Sequence, residues 1–140
     1  MVPRKSLKVG SIRQTVFVKA DPVEVYEALV DPGKHSEFTG SPASGSRRVG
    51  GLFTAWDGYI TAKNIELEKG KRIVQDWKTS EWPEGYPPSR LEITLAAKKN
   101  GTQLTMNQSR VPAEQVEKYR GGWVESYWDP LKEYFSGKKP

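Results

Sequence analysis

The fold is decided by one stretch near the end of the sequence, residues 90–135, which reads RLEITLAAKKNGTQLTMNQSRVPAEQVEKYRGGWVESYWDPLKEYF. In its first half apolar and polar residues alternate, which predicts two strands, Arg90–Ala97 and Thr102–Arg110. The dipeptide Asn100-Gly101 between them is typical of a tight hairpin. This half of the stretch therefore predicts an antiparallel pair.

The second half of the stretch changes its period and predicts a long helix over Pro112–Phe135. Apolar residues at helical spacing form one face, which comprises Val116, Tyr119, Trp123, Tyr127, Leu131 and Tyr134. Gly121-Gly122 and Pro130 lie inside this helix. Because Gly weakens a helix and Pro interrupts one, we expect a kink or a break near one of them.

Upstream of this stretch, the sequence predicts one strand followed by two short helices. Alternation over Val9–Ala20 predicts the strand. Asp21-Pro22 and Asp31-Pro32 each supply an N-cap residue and a proline at the first helical position. We therefore expect a helix over residues 22–30 and a second one from Pro32 towards Phe38.

The middle of the chain predicts further antiparallel strands. They are Leu52–Trp56, Tyr59–Leu67 and Arg72–Thr79. Asp57-Gly58 is typical of a hairpin turn, and Gly40–Gly51 is rich in turn residues and predicts a short edge strand. Three prolines and a glycine make Glu81–Pro88 an irregular loop.

This order of elements indicates an α+β domain in which a curved antiparallel sheet wraps around the long C-terminal helix, with two short helices after the first strand. We expect a basic flexible arm at residues 1–10, a single domain at 11–136 and a tail at 137–140. An apolar sheet face needs a cover, and only the C-terminal helix is long enough to provide it. The aromatic residues between helix and sheet leave either a packed core or an elongated cavity.

The composition excludes several classes of protein. The chain of 140 residues has no Cys and one His, which excludes disulfides and metal sites built from thiolates or several histidines, and we expect no cofactor. No apolar run approaches about 18 residues, so we expect no membrane span. Without a signal peptide, we expect a cytoplasmic protein. The net charge is +5, but scattered basic pairs do not indicate specific nucleic-acid binding.

Several motifs resemble one known family. They are Val49-Gly50-Gly51-Leu52-Phe53, Asp57-Gly58, Trp82-Pro83-Glu84-Gly85, Asn100-Gly101, Val111-Pro112, Gly122-Trp123 and Tyr127-Trp128. In this order they resemble the C-terminal domain of the activator of the 90-kDa heat-shock-protein ATPase, a START-like domain of the SRPBCC superfamily. The resemblance implies a helix-grip fold in a stand-alone domain. It also implies a non-enzymatic binding function, for an apolar small molecule or, alternatively, for a chaperone protein.

The predicted ligand site lies between the aromatic face of the C-terminal helix and the sheet. Its candidate residues are Trp56, Trp77, Leu104, Met106, Trp123, Tyr127 and Leu131. The same residues also suit an ordinary core, because aromatic residues at helical spacing often serve only to pack. The ligand hypothesis therefore requires a void of roughly 300 Å³ or more.

The predicted partner site is the loop Glu81–Pro88, through Trp82, Glu84 and Tyr86. Aromatic side chains on a rigid loop lose little entropy on binding, so they make good anchors. The basic surface would favour an acidic partner. The alternative is that Trp82 folds back and plugs one end of the cavity, and the exposure of its side chain distinguishes the two.

An enzyme on the same fold is the third hypothesis, and it requires a polar group inside the cavity. Asp76, Glu92 and Tyr59 are the candidates. We expect His35 at the surface, since its neighbours are polar and a general base needs a partner within hydrogen-bond reach. The acidic residues predicted on strands, which we expect mostly solvated or paired, are Asp57, Glu66, Asp76 and Glu92. We therefore assign no catalytic residue.

Overall fold

The computed structural model describes residues 7–136, and its central feature is one antiparallel sheet of seven strands. The strands are β1 (Val9–Val18), β2 (Ser44–Gly45), β3 (Leu52–Ala55), β4 (Ile60–Glu68), β5 (Arg72–Thr79), β6 (Ser89–Lys98) and β7 (Gly101–Pro112). Their order across the sheet is β1-β7-β6-β5-β4-β3-β2. The chain from β2 to β7 is therefore a meander, and β1 pairs with β7 at the edge of the sheet.

The predicted hairpin at Asn100-Gly101 joins β6 to β7. Leu95 lies opposite Leu104 and Ile93 lies opposite Met106, so apolar side chains from both strands share one face. All four of these side chains are buried. The predicted α+β class with a curved antiparallel sheet is confirmed.

Two short helices connect β1 to β2 across the sheet, as predicted. They are α1 (Pro22–Val30) and α2 (Pro32–Thr39). The Asp31 carboxylate caps α2 by accepting the Lys34 backbone N–H at 3.0 Å. Gly40, at φ 79°, ends α2 in the left-handed conformation that glycine adopts without strain.

The C-terminal helix (residues 113–136) packs against the sheet in several segments. They are a 3₁₀ turn (Ala113–Gln115), α3 (Val116–Trp123), a π-helical turn (Val124–Trp128) and α4 (Asp129–Ser136). The predicted irregularity is therefore a π turn, which lies between Gly121-Gly122 and Pro130. Within it, the Asp129 N–H donates to the Val124 carbonyl instead of the usual partner one residue later. Pro130 has no N–H to continue the ordinary pattern, so the wider turn accommodates it.

One end of the space between helix and sheet is densely filled. Trp128 and Leu131 from the C-terminal helix are buried in the same cluster as Leu104 and Met106 of β7, and none of these four side chains is more than 1% exposed. Trp128 also stacks on Trp123, with the ring centroids 5.2 Å apart. This part of the interior is an ordinary packed core.

The two predicted domain boundaries, after residue 10 and after residue 136, lie near the ends of the described residues. β1 begins at Val9, so residues 9 and 10 of the predicted arm belong to the first strand. Residues 1–6 of that arm and the predicted tail at 137–140 lie outside the described residues.

Candidate functional site

A cleft of about 380 Å³ opens between the C-terminal helix and the part of the sheet formed by β3 to β5. Its walls are mainly aromatic, and they comprise Trp56, Tyr59, Ile60, Trp77, Lys118, Tyr119, Gly122, Trp123, Ser126 and Tyr127. The volume lies within the range of about 300–1,000 Å³ that is typical of small-molecule pockets. The void that the ligand hypothesis requires is therefore present.

The helical wall of the cleft consists of two neighbouring stripes, each with a spacing of four residues. The buried stripe comprises Tyr119, Trp123 and Tyr127, and the rim stripe comprises Lys118, Gly122 and Ser126. A Cβ atom at Gly122 would meet no heavy atom of the described chain within 4 Å. The missing side chain of Gly122 therefore helps to keep the cleft open.

Trp77 of β5 forms the centre of the opposite wall. Its ring centroid lies 5.5 Å from that of Tyr119, with the rings nearly perpendicular at 86°, and 5.5 Å from that of Trp123. Edge-to-face contacts of this kind add to the stability gained from burial. Because each ring restrains the next, the aromatic walls of the cleft are preformed.

The third wall is the four-residue turn Trp56–Tyr59 between β3 and β4. Trp56 (φ 54°) and Asp57 (φ 56°) both adopt the left-handed conformation, so the prediction that Asp57 lies on a strand is wrong. The Tyr59 backbone N–H donates to the Trp56 carbonyl at 3.1 Å and closes the turn. This geometry brings the Trp56 and Tyr59 side chains to the cleft.

Glu81 organises the polar rim of the cleft. Its carboxylate forms an ion pair with Lys118 and accepts the Tyr59 hydroxyl at 2.8 Å. Its backbone carbonyl accepts the side-chain amide of Gln115, also at 2.8 Å. Because Lys118 belongs to the helical wall and Tyr59 belongs to the turn Trp56–Tyr59, Glu81 connects the C-terminal helix to this turn.

His35 lies beneath the cleft and contacts its floor. It is only 4% exposed, so the prediction of a surface position is wrong. Its Nδ1 lies 3.1 Å from the Leu29 carbonyl oxygen and its Nε2 lies 2.8 Å from the Tyr127 hydroxyl. Because a carbonyl can only accept, Nδ1 carries the proton and the Tyr127 hydroxyl donates to Nε2.

The surroundings of this buried pair keep both side chains neutral. Burial lowers the pKa of His35 to about 4, and the hydrogen bond to Leu29 opposes this effect only in part. Burial also raises the pKa of Tyr127 well above its ordinary value. The sequence carried one signal for this burial, since His35 and the buried Phe38 lie three residues apart on α2.

The structure divides the predicted ligand-site residues into two groups. Trp56, Trp77, Trp123 and Tyr127 line the cleft, whereas Leu104, Met106 and Leu131 are fully buried in the core and do not line it. The predicted site comprised only apolar and aromatic residues, so it did not include the rim stripe of Lys118, Gly122 and Ser126. The sequence signal for the rim stripe is its four-residue spacing, which matches that of the buried stripe and lies one position earlier along the helix.

The loop Glu81–Pro88 packs one of its aromatic residues against the cleft. Trp82 is half-buried, and its ring centroid lies 6.1 Å from that of Trp77 and 5.9 Å from that of Tyr119. Tyr86 is also half-buried, whereas Glu84 is exposed. The partial burial of Trp82 thus favours a residue that plugs the end of the cleft, and of the three predicted partner-site residues Glu84 is the exposed one.

The acidic candidates for catalysis lie outside the cleft. Glu92 and Glu66 form ion pairs with Arg72, at 3.0 and 3.5 Å. Asp76 precedes the inward-facing Trp77 on β5 and so lies on the opposite face of the sheet. Among residues 7–136, no three His, Asp or Glu side chains form a group suited to a metal ion. Over the same range, no helix is long and apolar enough to cross a membrane.

Comparison with known proteins gives a match over most of the chain. The family model described as "Activator of Hsp90 ATPase homolog 1-like protein" matches residues 19–136. The chain is 31% identical over 114 residues to the activator of 90 kDa heat shock protein ATPase homolog 1 of Homo sapiens, covering 81% of this chain and 33% of that protein. For the Dictyostelium discoideum homolog the identity is 28% over 135 residues, covering 96% and 35%. The chain thus spans about a third of these curated relatives.

Solved structures share the fold. An HSP90 activator from Plasmodium falciparum superposes with a TM-score of 0.82 at 24% identity, covering 91% of this chain and 96% of that one. CalU16 from Micromonospora echinospora gives a TM-score of 0.73 at 26% identity, covering 94% and 76%. The Aha1 dimer from Colwellia psychrerythraea gives 0.77 at 17% identity, covering 93% and 99%.

Proposed function

The chain belongs to the family of activator of Hsp90 ATPase homolog 1-like proteins, and on this premise we propose that it is a binding domain that holds a small apolar ligand in its cleft. The observation that carries this proposal is the cleft of about 380 Å³ with aromatic walls on both the sheet and the helix. A packed core would have filled this space. The filled region around Trp128 and Leu131 shows that the same helix packs tightly elsewhere.

The chemistry of the walls favours a flat, apolar ligand. Trp77, Trp123 and Tyr119 present ring surfaces that are already held in place by one another, so little conformational entropy is lost when a ligand binds. Burying apolar ligand surface against these rings contributes about 25 cal/mol per Å² before the cost of association. A ring compound would use this surface most fully.

Native mass spectrometry of the chain after incubation with a small-molecule extract of its host cells tests the proposal. We expect an added mass on the order of a few hundred daltons that disappears on denaturation, as for a ligand of drug-like size. A Gly122→Leu chain, whose new side chain would occupy part of the cleft, serves as the control and should carry much less of this added mass. If the wild-type chain also stays bare, the ligand proposal fails.

The curated relatives favour a second candidate function. The relative that is 31% identical is named an activator of the 90 kDa heat shock protein ATPase. As the alternative, we propose that this domain binds such a chaperone, with Trp82, Glu84 and Tyr86 of the loop Glu81–Pro88 as contacts. Glu84 is the exposed residue of the three, and the net charge of +5 would favour an acidic partner surface.

The ATPase rate of the host's 90-kDa chaperone, measured with and without the chain, tests this alternative. We expect a higher rate with the wild-type chain and a larger increase with Glu84→Arg, because an acidic partner surface repels the exposed Glu84 carboxylate and attracts an arginine in its place. Glu133→Arg, at an exposed position on α4, is the matched control. An unchanged rate together with no co-purification of the two proteins would eliminate the alternative.

Neither proposal includes a chemical reaction. The ten described residues that line the cleft include no carboxylate. The hydroxyl of Tyr59, the remaining catalytic candidate, donates a hydrogen bond to the Glu81 carboxylate at the rim. The buried pair of His35 and Tyr127 is neutral, and both ring nitrogens of His35 are hydrogen-bonded, so we assign the pair a structural role at the floor.

A further inference from the structure

The rim of the cleft carries a positive charge, whereas the floor is apolar. Among the ten described residues that line the cleft, Lys118 is the single charged side chain. Its ammonium group lies 5.7 Å from the centroid of the Tyr119 ring, on the aromatic wall. The cleft therefore combines apolar ring surfaces with one cation at its rim.

Lys118 is paired with Glu81, and this pair is easily exchanged. The two side chains are 49% and 51% exposed, and ion pairs at this level of exposure contribute little net stability. Glu81 also accepts a hydrogen bond from the Tyr59 hydroxyl at 2.8 Å, so one carboxylate interacts with donors from two walls of the cleft. A carboxylate supplied by a ligand could take the same two donors at little cost to the protein.

We propose that the cleft selects an apolar ring compound that carries a carboxylate, which replaces Glu81 as the partner of Lys118. This inference rests on the proposed ligand-binding function and adds the chemical class of the ligand. The rings of the ligand lie against the surfaces of Trp77 and Trp123 that line the cleft, and the carboxylate lies at the rim. In the free protein, Glu81 occupies the position of the ligand's head group and competes with it.

Two probes of nearly the same shape separate the contribution of charge from that of apolar burial. They are 2-naphthoate, which is an anion, and 2-naphthamide, which is neutral. Dissociation constants come from titrations followed by two-dimensional NMR, which also shows whether the shifted resonances belong to cleft residues. The ratio of the two constants reports the charge contribution, because burial of the rings is common to both probes.

Variants at the ion pair should change this ratio in opposite directions. Lys118→Met keeps an apolar chain of similar length, and we expect it to lower the preference for 2-naphthoate by about three- to tenfold. Glu81→Gln keeps the acceptor for Tyr59 but removes the competing charge, and we expect it to raise that preference by about two- to fivefold. Lys132→Met, at an exposed position outside the cleft, is the control and should leave the ratio unchanged.

The outcomes distinguish this inference from the function on which it rests. Opposite changes in Lys118→Met and Glu81→Gln, with cleft resonances shifted by both probes, support it. If both probes bind in the cleft with a ratio that neither variant changes, or that Lys132→Met changes equally, the inference is wrong while the binding function stands. If neither probe shifts the cleft resonances, both are overturned.

Discussion

Gly121 and Gly122 offer a matched pair of positions for testing whether the cleft is the binding site. Both lie in α3, and a Cβ atom at either would meet no heavy atom of residues 7–136 within 4 Å. Gly122 lines the cleft, whereas Gly121 is exposed and does not. A leucine at Gly122 therefore enters the cleft, and a leucine at Gly121 enters solvent.

The structure gives the expected size of both effects. Glycine is about 1 kcal/mol less favourable than alanine or leucine inside a helix, so both variants should gain about 0.5–1 kcal/mol of unfolding free energy. A leucine side chain at Gly122 would fill part of the 380 Å³ cleft. Excluding a ligand from about 60 Å² of apolar wall costs about 1.5 kcal/mol, at about 25 cal/mol per Å². The affinity for 2-naphthamide should then fall about tenfold in Gly122→Leu.

Two measurements on each variant check these values. Urea denaturation gives the unfolding free energy, and NMR titration with 2-naphthamide gives the dissociation constant. We expect Gly121→Leu to bind the probe within about twofold of the wild-type chain, since no wall of the cleft changes. Equal binding by Gly121→Leu and Gly122→Leu, with both chains folded, would refute the assignment of the cleft. A loss of stability in Gly122→Leu would contradict the open space at that position.

Two further predictions concern the buried pair beneath the cleft. Tyr127→Phe leaves His35 Nε2 buried without its hydrogen-bond donor, so urea denaturation should show a loss of about 1–2 kcal/mol; an unchanged midpoint would contradict the pairing. The pKa of His35 is lowered from 6.5 to about 4, so between these values the unfolded chain binds more protons than the folded one. Stability should therefore fall as the pH drops from 6.5 to 5, by at most about 1.4 kcal/mol per unit. A flat profile over that interval would show that His35 is not buried as a neutral group.

Much of the fold could be predicted because its signals act over a few neighbouring residues. Helix α1 and strand β5 have the predicted bounds, Pro22–Val30 and Arg72–Thr79. Asp21-Pro22 starts the helix through a cap and a fixed φ angle, and turn residues delimit the strand. The irregularity of the C-terminal helix was also predicted, although its form as a π turn depends on how the helix packs.

The candidate site could be predicted only in part. Periodicity identified Trp123 and Tyr127 as inward-facing, because residues four apart share one helical face. It did not distinguish Trp77, at the wall of the cleft, from Leu104, in the filled core, since both alternate inward on their strands. His35 was predicted at the surface from its polar neighbours in the sequence. The prediction failed because the residues that surround His35 in space are different ones.

The sequence by itself determined the order of the strands and helices, their bounds to within a few residues, and most of the apolar side chains that point inward, since these properties follow from backbone conformation and short-range periodicity. Only the tertiary structure decided which inward side chains meet and where they leave space. Gly122 contributes no side chain to the helical wall, which helps to keep the cleft open, and the ion pair at the rim joins Lys118 of α3 to Glu81 of the loop between β5 and β6. Such features depend on distances between residues that are far apart in the chain, which no local pattern encodes.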